Sequence, residues 1–294
     1  MAMTGVLGLL IGLALALTGA GGGVLAVPVL LFGLKLSVAQ AGPVALFAVA
    51  LSAAVGATLG LRAGIVRYRA AGFMAVLGMT LSPIGVWTAH QVPNAPLVGI
   101  FGLVLAWVAL RAVQRARSES AARAAPAIAA GHDGPPVLGM PAASLPPGRQ
   151  PPPRPLCARD PVRGRFVWTG PCTAALASCG IVTGFLSGLL GVGGGFVIVP
   201  TLCRISDLPM RSVTATSLAV ITLVSASGVL YAALGGHMVW PVAVPFTTGA
   251  VAGMVAGRAI VAHVAPHRLH QTFAALAAAV AAAMLYKSAA LMIG

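Results

Sequence analysis

Two stretches carry the residue types that could do chemistry: Thr18-Gly-Ala-Gly-Gly-Gly-Val-Leu-Ala-Val-Pro28 and Leu190-Gly-Val-Gly-Gly-Gly-Phe-Val-Ile-Val-Pro200. Each places four glycines in five positions inside a long apolar run and closes with a proline. A glycine costs a helix about 1 kcal/mol against alanine, so such a cluster is best read as a break. The other reading is close helix contact, which accounts for one or two glycines but not four. A broken helix offers free backbone N–H groups at a positive dipole end, and glycine lets a ligand approach them. That chemistry suits an anion. The candidate contacts are Gly19, Gly21, Gly22 and Gly23 in the first stretch and Gly191, Gly193, Gly194 and Gly195 in the second.

Hydroxyls follow the second stretch at Thr214, Thr216, Ser217, Thr222, Ser225 and Ser227. Any one of them can simply bond back to its own helix. Thr214, Thr216 and Ser217, just beyond the glycines and a short Asp-Leu-Pro loop, are the candidate side chains for the same anion. Gly194, flanked by two glycines, is expected to lie nearest the ligand and to be the least replaceable residue.

Other chemistry is poorly supplied. The four acids are Glu119, Asp133, Asp160 and Asp207, none of them inside an apolar run, so a carboxylate proton relay within a bilayer is excluded. No metal-ligand cluster, nucleophile–base pair or phosphate loop occurs, and no cofactor is expected. His90, His237, His263, His267 and His270 lie near the ends of apolar runs, where interfacial histidines are ordinary. The protein is not expected to be an enzyme. Cys157, Cys172, Cys179 and Cys203 form no C-x-x-C pair and are read as small buried or incidental residues.

The elements that must position the glycines are membrane helices. Hydrophobic residues make up 59% of the 294 residues and charged residues 7%, too few charges to cover a soluble domain. Residues 4–34 form one apolar run interrupted at Gly19–Gly23, either a tilted broken helix or a re-entrant hairpin. No basic segment precedes it, so it is read as mature membrane structure rather than a cleaved signal. Spans are expected over 38–61, 70–91, with a kink at Ser82-Pro83, and 96–110. Residues 118–166 hold 11 of the 22 prolines and no apolar period, and are expected to be a disordered cytoplasmic linker. The formal charge of +14 is topogenic: nine of the 18 Lys and Arg residues lie between Arg111 and Arg165. It does not imply nucleic acid. The expected partners are a small anion and the lipid bilayer, with a homo-oligomer left open.

The second half repeats the first at an offset of 172 residues, with no gap over about 90 residues. Gly8, Gly12, Gly19, Gly21, Gly22, Gly23, Pro28, Leu46, Gly56, Gly64 and Gly85 all meet identical residues. The expected organisation is a first membrane repeat (1–117), the linker (118–166) and a second repeat (167–294). If both glycine-broken segments are re-entrant, each half has three crossings and the halves are inverted. Only Lys35 and Lys287 then face outward, which satisfies the positive-inside rule better than parallel halves do. The fold class expected is therefore an all-α polytopic helical membrane protein of two repeated, inverted halves, each opening on a glycine-broken or re-entrant element.

The motifs Gly191-Val-Gly-Gly-Gly-Phe-Val-Ile-Val-Pro200, Asp207-Leu-Pro and Ala215-Thr-Ser-Leu218, with the weaker copy Gly19–Pro28, resemble the TauE/SafE sulfite exporter family. The resemblance covers about residues 5–115 and 177–290. It implies export of sulfite, thiosulfate or a related organosulfur anion across the cell (inner) membrane, with the glycine motifs and Thr216-Ser217 as the site. The first half departs from this pattern, since Val44-Ala45 stands where the second has Thr216-Ser217. The rival functions are a non-transporting membrane scaffold or assembly factor, which needs no matched breaks, and an anion channel.

Overall fold

A computed structural model describes residues 2–18, 22–124, 157, 169–206, 208–261 and 278–289. All the extended elements are helices: α1 (Ala2–Thr18), α2 (Ala26–Gly33), α3 (Val38–Arg62), α4 (Tyr68–Gln91), α5 (Asn94–Ala124), α6 (Gly170–Leu190), α7 (Gly195–Ile205), α8 (Met210–Leu234), α9 (Trp240–Val261) and α10 (Ala278–Ala289). A 3-10 turn over Gly22–Leu25 precedes α2. Six of the described helices are long and apolar enough to cross a membrane: α3, α4, the first part of α5, α6, α8 and α9. The protein is thus an all-α, polytopic membrane protein. Of the expected linker, only the end of α5 and Cys157 fall among the described residues, and Asp207, His263, His267 and His270 do not.

Local signals account for the boundaries. Ser37 caps α3 through the Gln40 N–H, and the Gln40 side chain returns to the Ser37 N–H, a complete capping box. Thr169 caps α6 through the Cys172 N–H, with Pro171 in the first turn. α6 stops because Gly191 adopts φ 73°, and Gly193 and Gly194 follow at 75° and 71°, a left-handed run that only glycine accepts without strain. Pro83 lies within α4, which continues to Gln91. Helix α5 runs on through the alanines, glutamate and arginines of 117–124, all good helix formers.

Both glycine-broken segments turn back. Gly33, at the end of α2, lies against the side chain of Leu7 near the start of α1. Gly194 lies against Thr183, more than one turn back along α6. Cys157 then bridges the two ends of the second hairpin: its thiol is disulfide-bonded to Cys172 at the start of α6, and its N–H donates to the Ile205 carbonyl at the end of α7 at 2.8 Å. Both are buried, as expected, but they are paired rather than incidental. Their separation of 15 residues conceals that Cys157 lies between the start of α6 and the end of α7.

Small residues set how the hairpins are seated. Gly8 and Gly12 of α1 press on the backbone of α9 at Phe246 and Ala250, and Gly257 receives Leu13 and Ala16. Gly180 and Gly184 of α6 press on the backbone of α4 at Met74 and Gly78, and Gly85 receives Phe185 and Gly188. Every pair in the first set is the second shifted by 172, so one packing interface is used twice. Numbers ascend together in both, so α1 runs parallel to α9 and α6 parallel to α4. Close backbone approach of this kind is how helices associate in lipid, where there is no hydrophobic force between them.

The directions follow around the bundle. Helices α3 and α8 are antiparallel, with Gly60 on Ala215 and Gly228 on Leu46. Asn94, at the start of α5, accepts from the Val38 N–H at the start of α3 at 3.0 Å. One end of the bundle therefore gathers Lys35, His90, His237, Trp240 and Lys287, with the Lys287 ammonium over Phe32 at 5.1 Å. The other gathers Arg62, Arg67, Arg204, Arg211 and Arg258. The α1–α2 hairpin starts at the Lys35 end and the α6–α7 hairpin at the Arg62 end.

Candidate functional site

The two hairpin tips meet in the interior. Gly19 and Gly21 lie outside the described residues. Gly22 opens the 3-10 turn, and a methyl placed on Gly23 would come within 2.9 Å of the Val192 carbonyl oxygen and 3.1 Å of Val49. The first tip thus touches the second. Gly191 abuts the Gly42 backbone of α3, where a methyl on Gly191 would overlap the Gly42 Cα, so Gly191 could not carry a side chain. A methyl on Gly193 would face Val49 at 2.7 Å, Ile221 at 3.0 Å and the Ser225 hydroxyl at 3.2 Å. Val49 and Ile221 are themselves 172 residues apart, which puts Gly193 beside the centre of the repeat.

Donors are available there. The N–H groups of Val197 and Ile198 both return to the Gly194 carbonyl, at 3.0 and 3.4 Å. Gly195 and Phe196, as the first residues of α7, then carry the N–H groups that helix geometry leaves without an intrahelical acceptor. Gly194 itself turns its open side to Thr183, so protein fills the space that the sequence suggested for a ligand.

The predicted hydroxyls divide. The Thr214 hydroxyl donates to the Met210 and Arg211 carbonyls at 3.1 and 3.0 Å, and Ser217 to Val213 at 2.8 Å, so both serve their own helix. Thr222 and Ser227 do the same. Thr216 is fully buried and its oxygen accepts from the Arg67 N–H at 3.1 Å, tying the α3–α4 loop to α8. Thr214 also lines a cavity of about 500 Å³ at the Arg62 end, with Arg211 and Arg258.

Sequence reasoning passed over a second set. The hydroxyls of Ser52, Ser82, Ser187, Ser225 and Thr247 are buried with no hydrogen-bond partner among the described residues. Leaving one buried hydroxyl unsatisfied costs about 1–3 kcal/mol. Three of them follow the second tip: Ser225 beside Gly193, Ser82 across from Gly228 one turn further along α8, and Ser187 next to Gly188, which presses on the Ser82 backbone. A signal for these was present. Their counterparts at the 172-residue offset are Ala53, Met254 and Leu15, so each is a hydroxyl in one half and apolar in the other. No group of three or more His, Cys, Asp or Glu able to hold a metal occurs among the described residues.

Non-helical backbone within a membrane bundle is tolerated where protein buries it or a cavity is lined by it, and it recurs in the broken helices of transporters. The class defined here is a polytopic helical membrane protein with two glycine-tipped hairpins meeting in its interior. The sequence profile described as sulfite exporter TauE/SafE matches residues 4–284, and the chain belongs to that family of membrane transporters. A probable membrane transporter protein of Xylella fastidiosa is 28% identical over 95% of this chain and 92% of its own length. Shorter matches are to a probable membrane transporter protein of Methanocaldococcus jannaschii, 48% identical over 18% of this chain, and one of Bacillus subtilis, 39% identical over 29%. Those two alignments span only 19% and 32% of the relatives' lengths. No solved structure matches.

Proposed function

We propose that the protein is a secondary transporter that exports a small sulfur-containing anion, such as sulfite, thiosulfate or an organosulfonate, across the cell membrane. The observation that carries this reading is the meeting of the two tips beside Ser225, Ser82 and Ser187, buried hydroxyls that have no hydrogen-bond partner among the described residues. Backbone N–H groups of Gly195 and Phe196 and the three hydroxyls would hold the anion by hydrogen bonds and the α7 dipole, without a fixed buried cation. Gly191, Gly193, Gly194 and Gly195, with Gly22 and Gly23 opposite, keep the tips thin enough to meet, and Thr216 holds the Arg67 loop in place.

The halves act as inverted repeats, with the arginine-rich end in the cytoplasm and Lys35 outside. That orientation follows the positive-inside rule. The Cys157–Cys172 disulfide sits at the same arginine-rich end. A reducing cytosol would keep this pair as thiols, so in this orientation the bridge forms only on oxidation. Cysteine substituted at Lys35 should label from outside and at Arg62 from the cytoplasm. Both labelling from one face would defeat the orientation.

Flux of labelled sulfite, thiosulfate, sulfonates and phosphate into proteoliposomes tests the transporter reading. Saturable flux of a sulfur anion supports it. Non-saturating flux would make the protein a channel, and no flux for any of them would leave a scaffold or assembly factor.

A further inference from the structure

We propose that the cavity at the Arg62 end is an anion-loading site built by Arg211 and Arg258, and that it makes loading one-sided. The cavity encloses about 500 Å³ between α3, α8 and α9, walled by Leu59, Leu218 and Met254. Two guanidinium groups line it, and no carboxylate does so among the described residues. Topogenic arginines need only lie at this end. Arg258 does more: it is half-buried, and its Nη2 donates to the Gly56 carbonyl of α3 at 3.2 Å, across the two halves. Gly56 makes that possible, since a methyl there would come within 3.1 Å of Nη2, 2.7 Å of Leu218 and 3.0 Å of Met254.

Two guanidiniums beside apolar walls repel each other and concentrate an oppositely charged solute, because low-dielectric walls focus the field. Their planar forks match the oxygens of a small oxoanion. The repeat shows that this is a local specialisation. At the 172-residue offset Arg258 corresponds to Val86, Arg211 to Ala39 and Thr214 to Gly42, so the matching niche at the opposite end has no guanidinium pair, and the Lys287 ammonium at that end lies over the Phe32 ring instead. An anion is therefore gathered at one mouth and released at the other, where Val86 and the stacked rings of His90 and His237 stand. The ligand chemistry is a small free oxoanion. A phospholipid headgroup offers the same oxygens and is separated from it in the test below.

This inference uses the transporter reading for its direction but not for its site, so two measurements are needed. Initial flux of sulfite, loaded from each face of phosphatidylcholine proteoliposomes at low and high salt, reads direction. Arg211→Gln and Arg258→Gln should each raise KM from the Arg62 face about tenfold and flatten its salt dependence. The other face should keep its KM. Equal loss from both faces would overturn the proposal. Arg258→Lys, which keeps the charge, should fall between, and serves if Arg258→Gln does not fold. The second measurement is thermal unfolding of the detergent-solubilised chain with sulfite and with sulfate. The wild type should be stabilised and Arg211→Gln/Arg258→Gln should not. Identical stabilisation, or stabilisation only by added phosphatidylglycerol, would overturn the site. No flux together with an arginine-dependent thermal shift would uphold the site and sink the transporter reading.

Discussion

The niche at Gly56 and the niche at Gly228 are the same construction with different contents. A methyl on Gly56 would meet Leu218, Met254 and Arg258; one on Gly228 would meet Leu46, Ser82 and Val86. All three partners correspond at the 172-residue offset, so the two niches share their contacts side chain for side chain. What differs is charge and polarity. One niche holds a guanidinium bonded to a backbone carbonyl, the other an aliphatic side chain and a buried hydroxyl without a partner. Packing is therefore the shared property of the halves, and the chemistry is divided between them. A binding site drawn symmetrically from both halves, such as the paired glycines alone suggest, misses this division.

The shared part breaks with the largest effect. Gly184 and its counterpart Gly12 sit where a Cβ would enter the backbone of the neighbouring helix, at Gly78 and Ala250. Leucine at either position must drive two helices apart, a cost of at least about 3 kcal/mol given typical overpacking penalties. Folded protein recovered from the membrane should fall sharply and equally for Gly184→Leu and Gly12→Leu, measured by size-exclusion profile. Loss for one alone would mean that the two interfaces are not equivalent. Gly194→Ala comes next. Its left-handed backbone costs about 1–2 kcal/mol for a residue with a Cβ, and the new methyl would meet Thr183. Thr183→Ser removes the obstructing methyl, so Gly194→Ala with Thr183→Ser should recover part of the lost thermal stability. No recovery would place the cost in the backbone alone.

The divided part is sharpened by exchanging the hydroxyl. Ser225→Ala installs the residue type of its counterpart Ala53 and removes a buried hydroxyl with no partner among the described residues, so stability should hold or rise. Transport should fall about tenfold, equivalent to roughly 1.4 kcal/mol of lost anion binding. Unchanged flux at equal membrane abundance would take Ser225 out of the path. Ala53→Ser, in the other half, should not compensate.

These contrasts show where the sequence was legible. The all-α membrane architecture was readable from apolar run length, because a bilayer imposes length directly. Nothing in residues 4–34 alone tells a break from a turn, and the return of the glycine-broken segments was favoured only by where Lys and Arg fall along the chain. Seating Gly33 on Leu7 decides it, and that is a tertiary contact. The hydroxyls chosen beside the motif, Thr214 and Ser217, bond to their own helix. Ser225, two turns beyond Ser217, does not: it lies against Gly193 and has no hydrogen-bond partner among the described residues. Proximity along the chain to a motif was a poor guide. Mismatch between the aligned halves was the better one, and it also marks Arg258 against Val86.

The smallest expected effect tests the duplication where nothing packs. Gly64 closes the turn after α3 with φ 66°, and Gly236 closes the turn after α8 with φ 71°. They are 172 residues apart, and a methyl on either would meet no atom within 4 Å. Alanine at these positions therefore adds no clash and changes no side-chain contact. It pays only for a left-handed backbone, partly offset by the lower chain entropy of unfolded alanine. Each of Gly64→Ala and Gly236→Ala should cost about 1 kcal/mol, and the two costs should agree, because the two turns share one backbone conformation. Thermal unfolding in the same detergent measures both. Flux should be unchanged for Gly236→Ala, whose turn lies beside neither the hairpin tips nor the arginine-lined cavity, whereas Gly64 stands between Ala63 and Ile65 of that cavity. A clear difference between the two variants would show that the repeat, though matched in packing and in turn geometry, is supported unequally at its two ends. The Arg62 end, which holds Gly64, would then be distinguished by more than its charge.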